Sequence, residues 1–227
     1  MADVQNIIED DLFLINEPAD KGTKQILWSG GLDSTYMIHK FLEEGYKVES
    51  HYVEIVPNKH KTIRELKAIE KLLPHFESYS NFNYKGSTKV EIPATFIAEY
   101  AQSWRSGTGI KTEQTNLVEK PQIPVFLFAA TYLPSPVCLG YLENENPYIP
   151  KIIDAAKMLS EFRNFERPLI VEFPILKTPK IEIYKKLPMK ILQHVTFCQH
   201  PRMDLCGECA PCQKMKELVP ESIFFKD

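Results

Sequence analysis

The chain has 227 residues, 44% apolar and 25% charged, with 27 Lys and Arg against 30 Asp and Glu for a net charge of −3. That length can bury a sizeable core, and the acidic balance argues against a strongly basic protein that grips nucleic acid through phosphates. No run approaches the roughly 20 apolar residues that span a bilayer, and the acidic start MADVQNIIEDDLFLINEPADKG is no signal peptide, so the expectation is a cytoplasmic globular protein with neither nucleic acid nor membrane as a direct partner.

The first element is KQILW, residues 24–28, an apolar run that predicts a buried strand. It leads into SGGLDS, Ser29 to Ser34, and then into a helix expected to begin near Ser34. There Met37, Ile38, Phe41 and Leu42 recur at helical spacing, and Gly45 stands where the helix would stop. Residues 48–55 alternate as a strand does. Residues 62–73 place Ile63, Leu66, Ile69 and Leu73 on one helical face, and 88–97 read as a third strand. Residues 101–124 are polar and read as a long loop of the functional kind. Beyond it come a buried strand at 137–142, an amphipathic helix over 151–165 and a strand over 169–175. This alternation predicts an α/β fold: an open, mostly parallel sheet with helices on both faces. The expected division is an N-terminal extension over 1–23, an α/β domain over 24–190 and a cysteine-bearing tail over 191–227.

A strand that ends in Ser-Gly-Gly-Leu-Asp-Ser and opens a helix has a plain physical meaning. Gly30 and Gly31 carry no Cβ, so successive backbone N–H groups can converge on an anion, and the helix directs its positive dipole end to the same place. Ser29 and Ser34 add hydroxyls, and Asp33 can hold a Mg²⁺ or orient the loop. There is no Lys of the G-x-x-x-x-G-K-[ST] type and no third glycine of the dinucleotide fingerprint. The bland reading is an Asx-type turn between strand and helix.

Five cysteines sharpen the picture. Cys138 lies alone in an apolar run and reads as an ordinary buried residue. Cys198, Cys206, Cys209 and Cys212 fall within 15 residues, with C-x2-C-x2-C spacing at the end. Four soft ligands so spaced suit a tetrahedral Zn²⁺ in a closed, structural site, and four thiolates also suit an Fe–S cluster.

SGGLDS resembles the SGGxDS pyrophosphate loop of the N-type ATP pyrophosphatases, also called the PP-loop superfamily. That resemblance implies an adenine nucleotide alpha hydrolase-like fold, with ATP and Mg²⁺ held at Trp28, Ser29, Gly30, Gly31, Leu32, Asp33, Ser34 and Thr35. With the cysteine pattern near the end, the chain resembles one branch, the 7-cyano-7-deazaguanine synthases of queuosine precursor biosynthesis. FPILKTPKIEIYKKL, with Lys180, Glu182 and Ile183 in register, and VCLGYLENENPY, with Gly140, extend the match from about residue 25 to 213. The resemblance implies an ATP-dependent ligase of the nitrile synthase type. It would adenylate 7-carboxy-7-deazaguanine and use ammonia to make the nitrile, with Asp33 and Lys180 in the catalytic site and Zn²⁺ on the four cysteines. Relatives in that family are often dimers.

Three segments depart from the family. YVEIVPNKH stands for Tyr-Gly-Gln-Arg-His, KPQIPVFLF for the Pro-x-Arg-Asn segment, and NPYIPKIID for Tyr-Pro-Asp-Cys-Arg. These departures keep open an adenylating ligase for a different carboxylate. A non-catalytic zinc module with a vestigial nucleotide loop is the reading from outside enzymology. Sulfur insertion into tRNA wants reactive cysteines near the nucleotide and a basic face, and neither is visible in the sequence. Arg105 and Lys111 are weaker cationic candidates than Lys180, and His51 and His60 read first as surface imidazoles.

Overall fold

The computed structural model describes residues 21–56, 59–91, 122–142, 148–162, 168–198, 205–218 and 224. Strand β1 (Thr23–Leu27) passes through the glycine loop into helix α1 (Leu32–Glu43), followed by β2 (Lys47–Val56), α2 (Lys59–Phe76) and β3 (Phe82–Glu91). The second half adds α3 (Gln122–Ala130), β4 (Val137–Cys138), α4 (Ile149–Phe162) and β5 (Val171–Glu172). It ends with α5 (Lys180–Lys186), α6 (Met189–Leu192) and α7 (Ala210–Leu218).

The strands form one parallel sheet in the order β3-β2-β1-β4-β5. Successive side chains on a strand point to opposite faces, and the core divides accordingly. Ile26, Val48 and Cys138 join α1, α2, α5 and α6 residues such as Met37, Leu72, Ile183 and Ile191 on one side. Val137 and Val171 join Leu127 of α3 and Ile152 and Ala156 of α4 on the other, with Leu27 packed against them. The α/β fold with helices on both faces is therefore present. Among the described residues Trp28 is the largest fully buried side chain, packed edge-on against Phe76, Phe82 and Tyr84 at 5.7, 6.2 and 5.7 Å.

Several boundaries differ from the sequence expectation. Helix α1 starts at Leu32 rather than near Ser34, because Gly31 is its N-cap. Strand β3 begins six residues before the expected 88. The segment around Gly86 pairs with β2 across a register shift between Ser50 and Tyr52; residues 92–97 lie outside the described residues. The end of the expected 101–124 loop belongs to α3. Strands β4 and β5 are shorter than read, at two residues each.

In this order the chain reverses direction of growth between β1 and β4. Open α/β sheets place ligands outside the carboxyl ends of their strands at such a switch point. The Ser29–Ser34 loop leaves β1 at that point.

Candidate active site and metal centre

The loop's shape follows from contacts that only glycine permits. Gly30 has φ +67, and a Cβ there would lie 3.0 Å from Ala68 Cβ and 3.1 Å from the Glu65 carbonyl of α2. A side chain would thus meet both the left-handed penalty and a closed neighbour. Inside the loop, Ser29 N–H donates to Ser34 Oγ (3.3 Å) and Gly31 N–H to Ser29 Oγ (3.3 Å). Beneath it, Trp28 Nε1–H donates to the buried Thr35 Oγ1 at 3.0 Å. Gly140, just past β4, backs onto the start of α1: its Cβ would stand 3.4 Å from Ser34 N and 3.4 Å from Asp33 Cβ. The two strand ends thus approach closely, with room for little more than a Cβ at that position.

Above the loop opens a cavity of about 350 Å³. Trp28, Ser29, Gly31, Leu32, Asp33 and Ser34 line it, whereas Gly30 and Thr35 are not among its lining residues and brace the loop from behind. Lys180, the first residue of α5, also lines it, with Nζ 3.3 Å from Asp33 Oδ2. Asp33 and Lys180 are 147 residues apart in sequence, and α5 docking beside α1 brings them together. A helix N-terminus, a glycine turn and a nearby cation can together receive an anion, with Asp33 as the cation's present partner.

The opposite wall was not foreseen from sequence. Tyr52 of β2 donates to Glu65 Oε2 at 2.7 Å, and Lys61 stands 3.6 Å from Glu65 Oε1. Burial, with the Glu65 carboxylate adding, holds the Tyr52 phenol far above its usual pKa, so it stays a donor. Phe126, Tyr141, Thr196, Phe197 and Pro211 also line it. In the sequence Tyr52, Phe126 and Tyr141 stand within segments compared with the family but were not singled out, and Lys61 and Glu65, an i,i+4 pair, read equally as a solvated helix face. His51 is not in the cavity lining; its Nε2 pairs with Thr88 Oγ1 at 2.8 Å, and burial lowers its pKa. Arg105 and Lys111 lie outside the described residues, as does the His60 side chain.

The four tail cysteines meet. Their Sγ atoms all lie within 4.8 Å of one another, with Cys206–Cys212 at 3.8 Å and Cys198–Cys209 at 3.9 Å. Tetrahedral ligands about 2.3 Å from a central ion stand roughly 3.8 Å apart, so the donor set fits one ion. A cubane cluster attaches each thiolate to a different iron and needs a wider arrangement. Burial opposes ionisation of Cys206, yet N–H groups of Cys209 (3.2 Å) and Glu208 (3.4 Å) converge on its sulfur and bring the pKa down to about 6. Cys212, fully buried, is pushed the other way, chiefly by burial. Cys138 is buried beside Glu172 at 3.6 Å, and burial raises its thiol pKa strongly, as suits an inert core cysteine.

Among the described residues, no helix is long and apolar enough to cross a membrane. No protein-family model matches the chain, and no curated protein matches it. Solved structures do resemble it. One is the U34-tRNA thiolase NcsA from Methanococcus maripaludis with its 4Fe–4S cluster, at 12% identity over 92% of this chain and 70% of that one, TM-score 0.47. Another is a predicted subunit of tRNA methyltransferase from Methanocaldococcus jannaschii, at 13% identity over 72% of each chain, TM-score 0.41.

Proposed function

We propose that the protein is an ATP-dependent adenylating ligase of the PP-loop superfamily. One observation carries the reading: SGGLDS sits at the switch point of a parallel sheet, opens onto a cavity and has Lys180 drawn to Asp33. Loop N–H groups, the α1 N-terminus and Lys180 would bind the β- and γ-phosphates and stabilise the pyrophosphate leaving group. Asp33 would hold Mg²⁺, which supplies charge neutralisation along the phosphates, and Ser29 and Ser34 would orient the same oxygens. The substrate carboxylate oxygen attacks the α-phosphorus, the bond to the β,γ-pyrophosphate breaks, and an acyl-adenylate forms. Ammonia then attacks the acyl carbon, expels AMP and leaves an amide. If the amide oxygen is adenylated in turn, loss of AMP and a proton gives the nitrile.

The substrate proposed first is 7-carboxy-7-deazaguanine, on the resemblance carried by Gly140, Lys180, Glu182 and the cysteine spacing. The second is a different carboxylate. It is favoured by Phe126, which lines the cavity from the KPQIPVFLF segment, where the resemblance expects a polar Pro-x-Arg-Asn motif. Zn²⁺ is proposed for the four cysteines, on their single-ion spacing. Cytoplasmic location remains part of this reading. The test is incubation with ATP, Mg²⁺, ammonium and the deazaguanine acid, with products weighed by mass spectrometry. AMP, pyrophosphate and a nitrile are expected; the same phosphates only with another acid would select the second substrate.

A further inference from the structure

The cysteine-bearing tail also touches the glycine loop. Thr196, two residues before Cys198, donates its backbone N–H to the Gly30 carbonyl at 2.9 Å. It also forms a parallel bridge with Gly31, and a Cβ on Gly31 would lie 3.5 Å from the Thr196 carbonyl. Phe197, adjacent to Cys198, and Pro211, adjacent to Cys212, both line the cavity. Phe197 is itself braced edge-on by Phe224, with ring centroids 5.1 Å apart. One wall of the cavity is therefore built from residues within two positions of the cysteines.

From this arrangement we infer that the four-cysteine centre holds the glycine loop in its anion-binding shape, with Thr196 as the positioning residue that joins the two. The inference rests on the ATP reading for its consequence but not for its mechanics. Gly30 sits at positive φ and needs its carbonyl fixed in one direction. Thr196 supplies the donor that fixes it, and Cys198 anchors Thr196. The described tail past Cys198 buries little besides Cys212 and Met215. Ion binding is then what orders residues 205–218, and through Cys198 it adds a second anchor to the hold that buried Val195 already gives Thr196. Such a link makes metal occupancy and phosphate affinity reciprocal.

The test compares the metal-loaded protein, protein stripped by a chelator and reloaded with Zn²⁺, and two Thr196 variants. Hydrogen exchange of the amides from Ser29 to Asp33 is read beside binding of inorganic pyrophosphate and ATP·Mg²⁺. Stripping should speed exchange across the loop while amides in the middle of α1 keep their protection. It should weaken pyrophosphate binding about tenfold, within the span usual for coupled sites, and reloading should restore both. Should stripping unfold the chain, Thr196→Pro decides the matter, because it deletes the N–H with all four cysteines in place. It should retain full metal content and show a fast-exchanging loop, whereas Thr196→Val, which keeps the N–H, recovers protection. Unchanged loop exchange in Thr196→Pro, or in stripped but folded protein, overturns the inference. If the loaded protein binds neither pyrophosphate nor ATP, the ATP reading fails separately, and loop exchange alone still judges the coupling.

Discussion

Asp33 and Lys180 meet at 3.3 Å with 26% and 36% of their side chains exposed, so solvent screens the pair and it adds less than about 1 kcal/mol to the fold. Its value lies in the charge it presents to the cavity. Lys180→Ala should therefore lower kcat about 100-fold or more, as loss of one charge-stabilising donor does, with an unchanged unfolding midpoint. A less stable but fully active variant would make Lys180 a structural cation instead. Gly30 behaves in the opposite way. Alanine there takes on a left-handed backbone costing about 1–2 kcal/mol, and overpacking against Ala68 and the Glu65 carbonyl adds about 1–3 kcal/mol. Denaturant titration of Gly30→Ala should show that loss, together with loss of nucleotide binding; a variant as stable as the parent would mean the loop can relax.

At the scale of elements, β1, β2 and β3 are tied across their polar edge by Glu49. Its carboxylate accepts from Gln25 at 2.8 Å and pairs with Lys85 at 3.1 Å. The Gln25 hydrogen bond, with Lys85 helping, holds Glu49 below its ordinary pKa against the opposing effect of burial. A depressed carboxylate stabilises the fold fully above its unfolded value and loses that contribution as pH falls through the folded one. Chemical denaturation should thus show stability falling below pH 4.5, with a shallower fall in Gln25→Ala; identical pH profiles would remove Glu49 from the balance. In the tail, Cys206→Ser removes a ligand on which two N–H groups converge. It should lose metal and lower the unfolding midpoint together, measured by metal analysis and thermal melting, and full metal content would contradict a four-thiolate site.

These elements also show what the sequence could convey. Residues 24–28, the α1 stripe and the cysteine spacing were legible, because each signal is local: one apolar run, one 3.6-residue period, one ligand pattern. Helix α3 was not, since QIPVFLFAA is apolar on every side and has no polar face to mark a period. Strand β3 was shifted because Gly86 and the polar residues beside it look like a turn, yet edge pairing with β2 carries them into the sheet. Of the site, the loop was readable and the far wall was not. Tyr52, Glu65, Phe126 and Thr196 reach the cavity through long-range packing; Tyr52 and Phe126 lie in segments that depart from the family motifs, so the pattern did not mark them.

At the scale of the molecule, the sheet order brings the loop after β1, the turn after β4 and the start of α5 to one place, facing residues of β2, α2 and α3. The tail adds Thr196, Phe197 and Pro211, with Val195 and Met215 buried in the main core beside Ile183 and Leu192. On the proposed reading this cavity receives ATP, activated for transfer of AMP to a carboxylate. The most direct measurement is ATP–pyrophosphate exchange by the metal-loaded protein, with 7-carboxy-7-deazaguanine, with a panel of other carboxylic acids and with none. Exchange that appears only when an acid is present is the predicted result, and the acid that works names the substrate. No exchange with any acid, together with no binding of ATP·Mg²⁺, would contradict the adenylating reading and leave a metal-binding α/β module.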